Sequence, residues 1–431
     1  MANPYGDILR LRGALMFTTA GLIARFPMAM VGIGLVFLVE HTYGSYGLAG
    51  VVSATGTLTL ALAAPFLSRF IDRYGQSTIM RPALVASNIG WIAVLAVAHH
   101  HGPIPVLFSA VIFAGAFAGS MGALVRARWA VVVTTPRQLH TAYALESVYD
   151  EVVFIIGPML ATFLATMVFP SAAILAAMVF SLGGGLWFLA QRGTEPPPAF
   201  TTQRRKHRRK RRREAPPAHE PASTSQPHSD IPDIPVLQIP TMWAVLLIAV
   251  GVGITLGGTE VPTIAFSEAH DAASMAGVIL GVFAFGSLIS GLIYGARSWP
   301  GTLEVRLLIG VLALAGFASL LLLADTLWLL AVVGFLTGFA IAPSFTNMNA
   351  VIQQIVHPSR LTEGLTWGST ASASGFAIGT AIAGVVVDAY GGHAGYWVAV
   401  GGGLFTTACA LATFGIIRRA LTPRAFPPST L

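Results

Sequence analysis

Twelve apolar stretches, each near the length of a membrane-crossing helix, run through this chain in two sets of six separated by a long polar gap. A helix needs about 20 mostly apolar residues to cross a bilayer. The first set is 14–39, 47–68, 78–98, 104–125, 142–167 and 171–190; the second is 241–262, 275–296, 305–324, 327–349, 364–387 and 395–417. Only 10% of the residues are charged and 55% are hydrophobic. A soluble domain carries about 25% charged residues, so this chain cannot cover a water-facing surface, and lipid must be its main solvent. The pattern predicts an all-α integral membrane protein with 12 transmembrane helices in two pseudo-symmetric six-helix bundles. The expected organisation is an N-terminal bundle over 1–191, a disordered basic cytoplasmic linker over 192–240, a C-terminal bundle over 241–418 and a cytoplasmic tail over 419–431.

The cations test this map, because Lys and Arg collect in cytoplasmic loops. With the N-terminus inside, Arg10, Arg12, Arg69, Arg73, Arg81, Arg126, Arg128, Arg137, Arg192, Arg297, Arg306, Arg360, Arg418, Arg419 and Arg424 all fall on the inner side, as does the run 204–213. The expected outer loops carry Glu40, Glu268, Asp271, Asp325 and Asp388 and no Lys or Arg. A wrong helix count in either half would scramble this segregation. The expected location is a plasma (inner) membrane, multi-pass, with both termini cytoplasmic.

The net charge of +7 comes from one segment, RRKHRRKRRR at 204–213, which holds nine Lys/Arg; the rest of the chain has 16 basic residues against 18 acidic ones. The apolar part therefore offers no nucleic-acid surface. The linker has too few apolar residues to bury a core. Its basic run either binds anionic lipid headgroups, at about 1 kcal/mol per basic residue near the surface, or is a solvated tether obeying topology. Cys409 is the single cysteine, so no intrachain disulfide or cysteine metal site is possible. The opening MANPYGDILRLRGALMF does not read as a cleavable signal, since the apolar stretch that follows runs far past a signal-peptide core.

The two halves repeat one another. With Pro136 set against Pro358, Leu139 meets Leu361, Ser147 meets Ser369 and Gly157 meets Gly379. After the second apolar stretch comes Ser68-Arg69-Phe70-Ile71-Asp72-Arg73-Tyr74-Gly75-Gln76, read as a short loop. This string resembles the signature G-x-x-x-D-R-x-G-R-[RK] of major facilitator superfamily transporters, which lies between their helices two and three. Asp72, Arg73 and Gly75 match; Ser68, Gln76 and Ser77 depart. Six plus six helices around a cytoplasmic linker is also the parallel-repeat plan of that superfamily. The resemblance implies its fold, alternating access, and a cytoplasmic gate in which Asp72 faces the N-terminal end of helix eleven and an Arg on helix four, here Arg126 or Arg128. A helix N-terminus carries about half a positive charge and favours a carboxylate. The other reading is a charged loop with no gating role.

Arg25 lies near the middle of the first apolar stretch, in GLIARFPMAM. A mid-membrane Arg costs several kcal/mol unless paired, so it should face the bundle interior. It is a candidate substrate- or ion-coupling cation, or else half of a structural ion pair. Pro27 beside it removes a backbone donor. The fifth stretch supplies partners in Glu146, Asp150 and Glu151, of which Glu146 and Asp150 share a helix face. Three acids there must be paired, wet or protonated, and a carboxyl that changes between such states is what proton coupling requires. The competing reading pairs Glu146 and Asp150 with Arg126 or Arg128. Gly157-Pro158 resembles the helix-five G-P element of superfamily antiporters and explains equally well as a kink. Residues 106–123 lack the helix-four Arg of many drug/proton antiporters. Glu260, Asn347 and Asn349 are further candidates for solute or ion contact, with helix–helix bonding as the alternative. The small-residue run GSTASASGFAIGTAIAG in the eleventh stretch favours close helix approach.

His99-His100-His101 reads as a wet turn, not a metal site, and no phosphate-binding loop or hydrolase constellation occurs. The expectation is a monomer without cofactor and without enzymatic activity. It moves a small solute, with protons as the coupling ion and export as the direction. Uptake by the same fold, and a non-transporting sensor or scaffold, remain the alternatives.

Overall fold

The computed structural model describes residues 4–197, 234–297, 299–357 and 360–422. Among them every regular element is helical, and 12 helical spans are long and apolar enough to cross a membrane. A short α1 (Pro4–Leu9) precedes α2 (Ala14–Tyr43), α3 (Tyr46–Tyr74) and α4 (Gln76–His99). The fourth span is two helices, α5 (Ile104–Ala116) and α6 (Met121–Val132), followed by α7 (Pro136–Met167) and α8 (Ala172–Ala190). The second set is α9 (Pro240–Ala269), α10 (Met275–Ala296), α11 (Leu303–Leu320), the pair α12 (Leu327–Phe339) and α13 (Ile341–Ile355), α14 (Leu361–Tyr390) and α15 (Tyr396–Leu421). The basic run 204–213 lies outside the described residues.

Most helices outrun the apolar stretches that announced them. The 32 residues of α7 extend about 48 Å at 1.5 Å per residue, against an apolar bilayer layer of about 30 Å. The polar turns at their ends stay helical because a helix satisfies its own backbone in either solvent. Two expectations are corrected by this. The signature string is not a loop, since Ser68–Tyr74 form the last turns of α3, α4 begins at Gln76, and Gly75 alone joins them at φ +100° and ψ 150°. Only glycine occupies that backbone region without strain. Likewise Glu40, Glu268 and Asp388 stand on the last turns of α2, α9 and α14 and not in loops.

The chain resolves into two compact units. The first comprises Met1–Gly34, Thr59–Ala165 and Phe169–His228. Its core gathers Phe17, Met80, Val125, Trp129 and Phe188, all fully buried, with Phe17 edge-on to Trp129. Here α4 packs on α5 and α8. Gly157 of α7 lies against Ala29 of α2, where a methyl would meet the alanine Cβ at 2.6 Å, and α7 runs unbroken past Pro158.

The second unit comprises Leu35–Leu58, Thr166–Val168 and Ser229–Leu431, so the last turns of α2 and the first half of α3 cluster with the later helices. Its centre is α9, which packs against α14 and α15. Small residues make this possible, as the sequence led one to expect of α14. Gly253 and Gly257 of α9 face the backbone of Ser372 and Phe376, and Gly375 and Gly379 of α14 face the carbonyls of Val250 and Ile254. A larger core of Val245, Ile248, Val252, Leu307, Val311, Val351 and Ile352 fills the space toward α11 and α13.

Candidate functional site

Arg25 lies on α2, 2% exposed, within the first unit. One Nη pairs with Glu146 of α7, itself fully buried; the other lies 3.2 Å from Asp150 Oδ1, one turn further along α7. Glu146 and Asp150 reach the same guanidinium because four residues bring them to one helix face. Asp150 is shared: its Oδ2 accepts a bond of 2.6 Å from Arg126 Nη2 on α6. Trp129, one turn on from Arg126, donates its indole N–H to Glu146 Oε1 at 2.7 Å. Two guanidiniums and two carboxylates thus compensate in a single cluster, as charges held away from water must. The cluster has a sealed end and a part-exposed end. The Arg25 and Glu146 side chains are 1% and 0% exposed, whereas Asp150 and Arg126 are 25% and 34% exposed. Space for the guanidiniums comes from Gly122, whose missing Cβ would sit 3.1 Å from Arg126 Nη1 and 3.5 Å from Arg25 Nε.

Arg25, Glu146, Asp150 and Arg126 are therefore brought together, and Arg128 is not. Positions two apart on a helix point to different sides, and Arg128 turns into a second network. Its Nε donates to Gln76 Oε1 at 3.0 Å and its Nη1 to the Gln191 carbonyl at 2.8 Å and Thr194 Oγ1 at 3.1 Å. The guanidinium lies 3.8 Å from the Phe188 ring centroid. Beside it, Glu195 accepts from the Ser77 backbone N–H and hydroxyl, both at 2.7 Å, placing a carboxylate on the α4 N-terminus. Arg81 Nη2 donates to the Leu189 carbonyl at 2.8 Å. The departures from the signature at Gln76 and Ser77 thus have structural uses: Gln76 accepts from Arg128, which a basic residue would repel, and the short Ser77 donates its hydroxyl to Glu195 and to the Leu189 carbonyl.

Asp72 and Arg73 are exposed on the last turn of α3, and Arg73 lies over the Tyr74 ring at 5.3 Å. Asp72 has no ion pair with a described residue, and its expected cations on helix four are engaged as above. Glu151 is half-buried and stands outside the cluster.

In the second unit, Glu260 of α9 keeps its Oε1 buried without a hydrogen-bond partner among the described residues. Asn347 of α13 is 2% exposed; its Oδ1 accepts from Tyr294 Oη at 2.8 Å, while its Nδ2 has no such partner. Asn349 is exposed. Sequence reading missed Trp129, Gln76 and Glu195. A usable signal existed for the first, because a buried indole N–H needs an acceptor and Trp129 shares a face with Arg126. For Glu195 there was none, since its partner lies 118 residues away.

Comparison with known proteins agrees with this architecture. The sequence profile of the Major Facilitator Superfamily matches residues 17–300 and 244–429. No curated protein sequence matches the chain significantly. Among solved structures, it is similar to the nucleoside transporter NupG at 12% identity, with 94% of this chain and 98% of that one covered and a TM-score of 0.69. A bacterial homologue of the iron transporter ferroportin, in an inward-facing state, matches at 13% identity over 94% of this chain and 98% of that one, TM-score 0.67. A bacterial homologue of the human lysosomal transporter Spinster matches at 14% identity over the whole of both chains (100% each), TM-score 0.62. A multi-pass body of 12 helices and a profile match running almost end to end place this chain in the Major Facilitator Superfamily, a family of secondary transporters.

Proposed function

We propose that the protein moves a small solute across the plasma membrane by alternating access, coupled to protons and in the direction of export, with both termini in the cytoplasm. The orientation rests on the segregation of Lys and Arg. The coupling rests on one observation above all: Asp150 divides its carboxylate between a sealed cation, Arg25, and a part-exposed one, Arg126. A proton arriving from the part-exposed end at Asp150 would release Arg126 and leave Arg25 to Glu146. One protonation then converts a neutral four-charge cluster into one with a free guanidinium facing water. That is a charge change at a fixed point, of the kind a transporter can link to solute binding. Glu151, adjacent and half-buried, and Glu260, half-buried with one buried oxygen unpartnered among the described residues, are the further carboxyls of this reading. Asn347 offers a buried amide donor and Asn349 an exposed amide for solute contact. Asp72, Arg73 and Gly75 serve the cytoplasmic gate, and the run 204–213 meets anionic headgroups.

A thermal-shift screen of the purified protein against solute classes at two pH values tests this. A stabilising solute is then followed in inverted and right-side-out vesicles under an imposed pH gradient. Asp150→Asn should abolish gradient-driven accumulation while retaining solute exchange at equal pH. Wild-type accumulation by Asp150→Asn would end the proton assignment, and accumulation only in right-side-out vesicles would replace export with uptake.

A further inference from the structure

The second unit holds a carboxylate contact that neither the signature nor the charged cluster requires. Asp388, on the last turn of α14, sits on the N-terminus of α3. Its Oδ1 accepts from the Tyr46 backbone N–H at 2.7 Å, and its Oδ2 accepts from the Gly47 N–H at 2.8 Å and the Ser45 hydroxyl at 2.7 Å. Ser45 Oγ in turn accepts from the Leu48 N–H at 3.0 Å. The first N–H groups of α3 have no partner within their own helix, and three of them are satisfied here, two by a residue more than 340 positions away. The next side chain repeats the theme, since Tyr46 donates its hydroxyl to Glu268 on the last turn of α9. Below these bonds α3 and α14 lie backbone to backbone: a methyl on Gly384 would strike the Tyr46 carbonyl, and one on Gly50 would meet the Thr380 carbonyl.

We infer that Asp388 is an outer latch: its bonds to the α3 N-terminus hold the extracellular ends of α3 and α14 together in one conformation and are released in the other. This rests on the transport reading above and on its orientation. Three properties fit a contact made to be broken. Two of the three bonds are exposed and the third is part-buried, so water can reach and replace them. Every partner on α3 is backbone or the capping serine, so no buried cation is stranded on release. The carboxylate also stands near Glu40 and Glu268, like charges that oppose it, with His41 the cation beside them.

The test labels His41→Cys and Tyr390→Cys, both exposed, with nitroxides in a Cys409→Ala background and measures the spin–spin distance distribution in nanodiscs. In the otherwise native protein the shorter component should dominate. Asp388→Ala should lower the ratio of short to long populations about tenfold, the scale of losing a strong helix cap. Ser45→Ala, which removes one of the three bonds and keeps the carboxylate, should shift the ratio the same way by less. A distribution unchanged in both variants, or shifted toward the shorter distance, would overturn the latch. Asp388→Ala that fails to fold leaves Ser45→Ala to decide. The measurement needs no solute, so a lack of transport does not affect it, and an unchanged distribution leaves the transport reading intact.

Discussion

Arg25 and Glu146, 121 residues apart in the chain, meet in an ion pair whose side chains are 1% and 0% exposed. Removing one partner leaves the other charged and without water. Arg25→Ala or Glu146→Ala should each cost about 3–5 kcal/mol of stability. Arg25→Leu combined with Glu146→Leu should recover most of that loss, since Asp150 keeps Arg126. Thermal unfolding of detergent-solubilised protein measures this, and additive losses in the double variant would mean that the two residues do not act as a pair.

Trp129 supplies the second ligand of that carboxylate. Trp129→Phe preserves the ring packed on Phe17 and removes only the indole donor. A buried acceptor left short of a partner costs about 1–3 kcal/mol, so the melting temperature should fall. The effect should vanish when Glu146 is already replaced by Leu, which offers no acceptor, and persistence there would assign Trp129 to packing alone.

Restoring the family residue at the signature's departure should harm this protein. Gln76→Arg sets a second guanidinium beside Arg128 and deletes the acceptor at 3.0 Å. A loss of about 2 kcal/mol is expected, within the range for a disrupted buried polar network. Gln76→Glu keeps the acceptor and adds an opposite charge but loses the amide that donates to the Leu124 carbonyl at 3.2 Å, so it should melt between wild type and Gln76→Arg. A stable Gln76→Arg would show that Arg128 has room to turn away.

Much of the fold could be read from the residues alone, because lipid imposes a length and a polarity on every span. The positions of Lys and Arg then fixed the helix count. What escaped was where helices end. Ser68–Tyr74, Glu40 and Asp388 lie beyond the apolar stretches and read as loop, yet helix continues through them. Within the charged cluster, Arg25 and the acids of α7 were identifiable from the cost of charge in lipid. The division of labour between Arg126 and Arg128 was not, because it depends on how α6 is rotated after the break at 117–120. Glu195 and Asp388 were invisible as partners for another reason. Each caps a helix distant in sequence, and no spacing rule records such a contact.

Glycine substitutions separate contact from propensity. Gly375→Ala on α14 would drive a methyl into the Val250 carbonyl of α9, whereas Gly415→Ala on α15 meets nothing within 4 Å. Alanine normally favours a helix over glycine by about 0.5–1 kcal/mol. Gly415→Ala should therefore be neutral or mildly stabilising, and Gly375→Ala should lower the yield of folded protein and its melting temperature. Equal behaviour of the two would deny the close approach of α9 and α14.

That approach has a mechanical consequence. Where Gly253, Gly257, Gly375 and Gly379 bring main chain against main chain, two hydroxyls also cross the seam, Ser372 to the Ala249 carbonyl at 3.3 Å and Thr380 to the Gly257 carbonyl at 3.5 Å. Hard backbone atoms fix the separation and these hydroxyls fix the register. The two helices therefore behave as one splinted rod, and whatever displaces Asp388 at the end of α14 must carry α9 along.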